Sequence, residues 1–233
     1  MSQAAQQIPT IRNAHIPSGG ITLAGRLELP IGAQAAVVFV HGPGSSGQSP
    51  RNQLVAETIR NAGLGTFQFD LLTSEEAIDT HTRELGFDIG LLAKRLVDAT
   101  YWLNGEFDYL RAGYFGASTG AAAALVAAAE LGTIVGAVVS RSGRPDLAKD
   151  ALPLVKAATL LIVGELDSQI IEVNRHAYAQ LNCEKEITMV PRATHLFEER
   201  GAMDQVAQLA TDWFQTHLSE HTHRENQHQG DFK

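Results

Sequence analysis

The stretch Gly116-Ala117-Ser118-Thr119-Gly120 constrains this chain more than any other. It lies between the apolar run Ala112-Gly113-Tyr114-Phe115, which reads as a strand, and the alanine-rich run 121–129, which reads as a helix. A chain that passes from strand to helix in so few residues must turn sharply. Glycine two positions either side of the serine removes the Cβ atoms that would meet strand or helix, and it tolerates strained backbone angles. Such a turn presents the Ser118 hydroxyl at the C-terminal edge of a sheet, beside the positive end of a helix. The bland alternative is a Gly/Ser turn without chemistry.

Two later features match the chemical reading. Thr159-Leu160-Leu161-Ile162-Val163 is an apolar strand run leading through Gly164-Glu165-Leu166 to Asp167. A second short strand, 186–190, leads to Pro191-Arg192-Ala193-Thr194-His195. A serine hydroxyl is a poor nucleophile at neutral pH. It needs an imidazole to take its proton and a carboxylate to hold that imidazole in one tautomer. Ser118, His195 and Asp167 fill these roles in the chain order serine, acid, histidine. Glu165 is the rival acid, two residues nearer the strand interior, and Asp146 a weaker one. Asp167 could instead cap the helix expected near Ile170.

An oxyanion formed at Ser118 needs two backbone donors. Thr119, the residue after the serine, supplies one. The other belongs after the apolar strand 36–40, in His41-Gly42-Pro43-Gly44-Ser45-Ser46. Pro43 has no N–H, so Gly44 is the expected donor.

With these motifs in place, the chain resembles the α/β-hydrolase superfamily, and within it the dienelactone-hydrolase-like group. The resemblance runs from about Ile21 to Leu218. It rests on His41-Gly42-x-Gly44-Ser45-Ser46, Gly116-x-Ser118-x-Gly120, Gly164 to Asp167, and Ala193-Thr194-His195-Leu196-Phe197. It implies a mostly parallel twisted sheet with helices on both faces, and an ester-cleaving activity without cofactor or metal. True dienelactone hydrolases use a cysteine nucleophile, whereas this chain has Ser118. Relatives with serine resemble general carboxylesterases. Some relatives are joined to a phosphoribosyltransferase domain, and none is read in this sequence.

Element patterns agree with an α/β architecture. Residues 21–29 alternate at period two and read as an edge strand after a turn at Ser18-Gly19-Gly20. Ser49 and Pro50 read as N-cap and first residue of a helix reaching Ala62, with Gly63 as its stop. Ile89, Leu92, Leu96, Ala99 and Leu103 mark a helix over about 86–103. The final helix buries Val206, Leu209, Trp213 and Leu218. Fewer than twenty residues separate the strand ending near Val139 from the one starting near Thr159, which leaves no room for a lid of several helices. Thr73 to Phe87 is the longest loop and reads as an exposed rim. Residues 1–219 are expected as one domain and 220–233 as a disordered tail.

Composition sets the remaining bounds. A net charge of −8 over 233 residues argues against nucleic acid or an anionic membrane as the main partner. No apolar run approaches the length of a membrane span. The single cysteine, Cys183, suits a reducing compartment, so the cytoplasm is expected. The partner expected is a small-molecule ester, with monomer and homodimer both open. Arg141 and Arg144 follow a strand at the ligand-binding edge. Either could clamp a substrate carboxylate, or form a structural salt bridge to Asp146 or Asp70. His217, His221, His223 and His228 read as a solvated tail. Three functions stay open: a serine esterase taking short-acyl or small carboxylate-bearing substrates; thioester hydrolysis, acyl transfer or perhydrolysis on the same residues; and a non-enzymatic binding protein on the same fold.

Overall fold

Alternating apolar strands and amphipathic helices leave one economical arrangement, a sheet covered on both faces. The computed structural model describes residues 8–41, 49–73, 75–76 and 87–219. Its strands are β1 (Thr10–Ser18), β2 (Ile21–Leu29), β3 (Ala35–Val40), β4 (Gly65–Phe69), β5 (Arg111–Ala117), β6 (Val135–Arg141), β7 (Ala158–Gly164) and β8 (Lys185–Val190). They form one sheet in the order β1-β2-β4-β3-β5-β6-β7-β8. β1 and β2 pair antiparallel, β2 meets β4 antiparallel, and every later pairing is parallel.

The expected edge strand, β2, lies one place inside the edge. Gly19 and Gly20, both at positive φ (56° and 89°), fold β1 back upon it as a hairpin. β1 itself was not anticipated. Of its inward set, Ala14, Ile16 and Ser18, only Ile16 is a large apolar residue, so alternation there is faint.

The helices are α1 (Pro50–Asn61), α2 (Ile89–Glu106), α3 (Thr119–Leu131), α4 (Ser168–Gln180) and α5 (Ala202–Leu218). Ser49 caps α1 by accepting from the Asn52 amide, and Gly63 stands beyond its end at φ 86°. α2 starts at Ile89, the first residue of its apolar period and three residues after the expected start near 86, with the Asp88 carboxylate capping it through the Leu91 amide. α1 and α5 pack on one sheet face against Val37, Phe39, Phe115, Val139 and Ile162. α2 and α3 cover the other face, against Val38, Tyr114, Val138 and Leu161. Between β6 and β7 the chain makes only a 3-10 segment, Pro145–Leu154, kinked at Lys149. His217 is part of α5, its ring tilted against Trp213 and 3.8 Å from Glu184, rather than part of a solvated tail.

Most of the expected rim loop and the whole expected tail fall outside the described residues. The root of the rim is described. Buried Arg95 on α2 donates to the Leu71 carbonyl and grips both oxygens of Glu76 at 2.7 and 2.8 Å. These hydrogen bonds hold the Glu76 carboxyl down at about 2 against 4.5 for a free glutamate. A carboxyl depressed in the folded state stabilises above its unfolded pKa and loses that contribution as pH falls through the folded value. Glu76→Gln is therefore expected to cost about 1–2 kcal/mol near pH 7, allowing for solvent screening. The cost should shrink between about pH 4.5 and 2. Paired urea melts across this range check it; a pH-independent difference refutes it.

Candidate active site

The parallel strands bring the ends of β3, β5, β6, β7 and β8 to one edge of the sheet, where ligands of such sheets bind. Ser118 stands there at the turn from β5 into α3, with φ 53° and ψ −126°. This is an unfavourable backbone conformation for a residue with a Cβ, and surrounding contacts must hold it. The flanking glycines explain how the turn closes. A Cβ on Gly116 would lie 2.6 Å from Ala121 Cα, and one on Gly120 would lie 2.7 Å from the Val40 carbonyl carbon. Serine at a helix N-cap ordinarily spends its hydroxyl on a first-turn amide. Ser118 makes no such bond, so its oxygen is not used for capping.

Asp167 follows β7 and occupies the N-cap position of α4, also without a side-chain capping bond. Its carboxylate instead accepts a 2.6 Å hydrogen bond at Nδ1 of His195. Asp167 is thus the helix cap by position and the histidine's partner by side chain. The Asp167 side chain is 15% exposed and the His195 side chain 43%. One end of the pair is sheltered while the imidazole reaches solvent.

The loop carrying His195 is braced from several sides. The Glu165 carboxylate accepts from the Arg192 amide at 2.7 Å, and the Leu166 amide donates to the Ala193 carbonyl. Glu199 accepts from both the amide and the hydroxyl of Thr194, which holds its carboxyl below the usual range. Arg192 and Phe197 take positive φ on either side of His195. Sequence reasoning missed Glu199 and the roles of Arg192 and Phe197, because loop braces have no periodic signal. It weighed Glu165 as an acid; the structure uses that carboxylate to hold the histidine loop.

The remaining expected site residues divide. Thr119 opens α3 and is buried; the first-turn amides of a helix have no acceptor within the helix itself. Gly44 and Pro43 lie outside the described residues. Arg144 is committed to Asp146 by a bidentate pair at 2.9 and 2.7 Å. Asp70 pairs with buried His41 at 2.9 Å, a contact the sequence did not reveal.

Arg141, in register with Ala117, is only 8% exposed, yet no carboxylate ion-pairs with it among the described residues. Among the described residues its Nε has no partner, and its Nη1 meets only the Met203 sulfur, at 3.9 Å. Burial, with Arg51 nearby, pushes its pKa down to about 10.

No family model matches the chain. A crystal structure of dienelactone hydrolase from Anabaena variabilis is 55% identical and aligns with a TM-score of 0.87, over 90% of this chain and 99% of that one. This chain belongs to the dienelactone-hydrolase-like group of the α/β hydrolases. Within that superfamily's fold, it also resembles an esterase of Pyrococcus furiosus, with a TM-score of 0.74 at 16% identity over 90% of this chain and 94% of the other. Two Mycobacterium tuberculosis proteins, from strains CDC 1551 and H37Rv, carry the provisional name phosphoribosyl transferase. Each is 51% identical over 214 residues. The match takes in 90% of this dienelactone-hydrolase-like chain but 48% of theirs, so the chain spans about half their length. Among the described residues no helix is long and apolar enough to cross a membrane, and no cluster of three His, Cys, Asp or Glu could hold a metal ion.

Proposed function

We propose that this chain is a serine hydrolase that cleaves carboxylic esters through an acyl-enzyme. The observation that carries the reading is the 2.6 Å His195–Asp167 bond at the sheet edge that also presents Ser118, uncapped and at positive φ. His195 takes the Ser118 proton as Oγ attacks the ester carbonyl, and Asp167 holds the imidazole with Nε2 free to do so. The Thr119 amide donates to the oxyanion, with Gly44 as the second donor. The proton passes from His195 to the leaving alcohol. Water, activated by His195, then releases the acid and regenerates Ser118. The longer relatives carry a phosphoribosyl transferase name, and we read that activity as belonging to the half this chain does not match. We place the protein in the cytoplasm, acting on a small-molecule ester.

Substrates are expected to be short esters, including small carboxylate-bearing ones. The 3-10 link between β6 and β7 provides no helical lid to bury a long chain, and Arg141 supports the anionic class. A fluorophosphonate probe should label Ser118 stoichiometrically. In a p-nitrophenyl series from acetate to palmitate, turnover should peak at the short end. A p-nitrophenyl half-ester with a terminal carboxylate should beat its neutral isostere about tenfold, and Arg141→Met should remove that preference while sparing the neutral ester. No labelling would indicate a binding protein. A maximum at twelve carbons or longer would overturn the substrate assignment.

A further inference from the structure

The Ser118 conformation has to be held from outside, and the hydrogen bonds around it indicate how. The Ser118 carbonyl accepts from the Ala121 amide at 3.2 Å and from the Arg144 amide at 3.0 Å. The second bond comes from the turn after β6, a different part of the chain. That turn is itself strained: Ser142 is buried at φ 40°, and its amide is tied to the Ile162 carbonyl of β7 at 2.8 Å. The next carbonyl, Gly143, accepts at 3.0 Å from Nδ2 of Asn174.

Asn174 is fully buried on α4. Its Nδ2 also donates to the Ile170 carbonyl at 2.8 Å. Both partners are carbonyl oxygens, so the amide must face them with its nitrogen. Its Oδ1, in turn, has no hydrogen-bond partner among the described residues. Burying an unmatched amide oxygen costs free energy that a leucine there would avoid. The residue is therefore an expensive choice for packing alone and an apt one for gripping a carbonyl. Asp167 is the N-cap of α4, and Asn174 lies seven residues further, about two turns or roughly 10 Å along the same rod. One helix thus carries the partner of His195 at its start and a grip on the Ser118 turn in its middle.

We infer that Asn174 is a positioning residue: through Gly143 and Arg144 it fixes the Ser118 carbonyl, and so locks the serine turn in register with the helix whose N-cap is Asp167. The inference rests on the ester-hydrolase reading of Ser118. Without the grip, the Gly143–Arg144 peptide is free to rotate, the Ser118 carbonyl loses its outside donor, and the hydroxyl moves off line. Misplacement of about 1 Å at a reacting group costs on the order of a hundredfold in rate.

The test compares Asn174→Ala and Asn174→Leu with Thr100→Val, which breaks another buried hydrogen bond, between α2 and Tyr114 of β5. The measurements are Tm, kcat and KM for a short p-nitrophenyl ester, and the rate of fluorophosphonate labelling at Ser118. Both Asn174 variants should lose at least tenfold in kcat and in labelling rate with KM within about threefold. Thr100→Val should lower Tm while keeping both rates within about twofold. Rates in the Asn174 variants that match the parent, or that fall no further than in Thr100→Val at equal loss of Tm, overturn the inference alone. If the parent neither labels at Ser118 nor turns over esters, the ester-hydrolase reading fails and this inference falls with it.

Discussion

Ser118→Ala and His195→Ala should each reduce ester turnover by at least about a thousandfold, and the double variant should be hardly worse than either. The two residues act on one proton. Once Oγ is gone the imidazole has nothing to deprotonate, and once the imidazole is gone Oγ stays a protonated alcohol. The His195–Asp167 bond and the uncapped Ser118 motivate this expectation. Steady-state kinetics on a short p-nitrophenyl ester measure it. Additive losses would mean that the two act in separate steps, contrary to the proposed mechanism.

Asp167→Asn is expected to lower kcat by about a thousand- to ten-thousandfold while leaving measurable turnover. An asparagine facing Nδ1 favours the wrong imidazole tautomer and removes the charge that stabilises the imidazolium. Glu165→Gln should lose no more than about tenfold, because its amide oxygen can still accept from the Arg192 amide. The pair separates the two carboxylates that the sequence placed two residues apart. If Glu165→Gln proved crippling and Asp167→Asn mild, the acid would be misassigned.

Much of the fold was legible because its signals are local. Ser49, Pro50 and Gly63 bracket α1 through capping chemistry that needs no tertiary partner. The apolar runs at β3 and β7 are strands buried on both faces, and their lack of alternation is itself the mark of a parallel sheet. The glycine before Ser118 could be read for the same reason, since the collision it avoids, with Ala121, lies within the turn; Gly120 instead avoids Val40 of the neighbouring strand β3. β1 was missed because only one of its inward residues, Ile16, is large and apolar. The start of α2 was set three residues early because the Asp88 cap beside Ile89 was not used.

Sequence order alone determined that Ser118, an acid and His195 would follow three strands of one parallel sheet. Chain order and strand pattern place residues at an edge without any knowledge of side-chain contacts. Which carboxylate met the imidazole was decided by tertiary structure. The loop between β8 and α5 packs so that Glu165 is spent on the Arg192 amide and Asp167 faces Nδ1. The same holds for the arginines, alike in sequence. Arg144 closed on Asp146, a local pair the sequence had offered, whereas Arg141 met Met203 of α5, and no carboxylate pairs with it among the described residues. Hydrogen bonds between residues distant in sequence depend on how whole layers pack, and no local pattern encodes that packing.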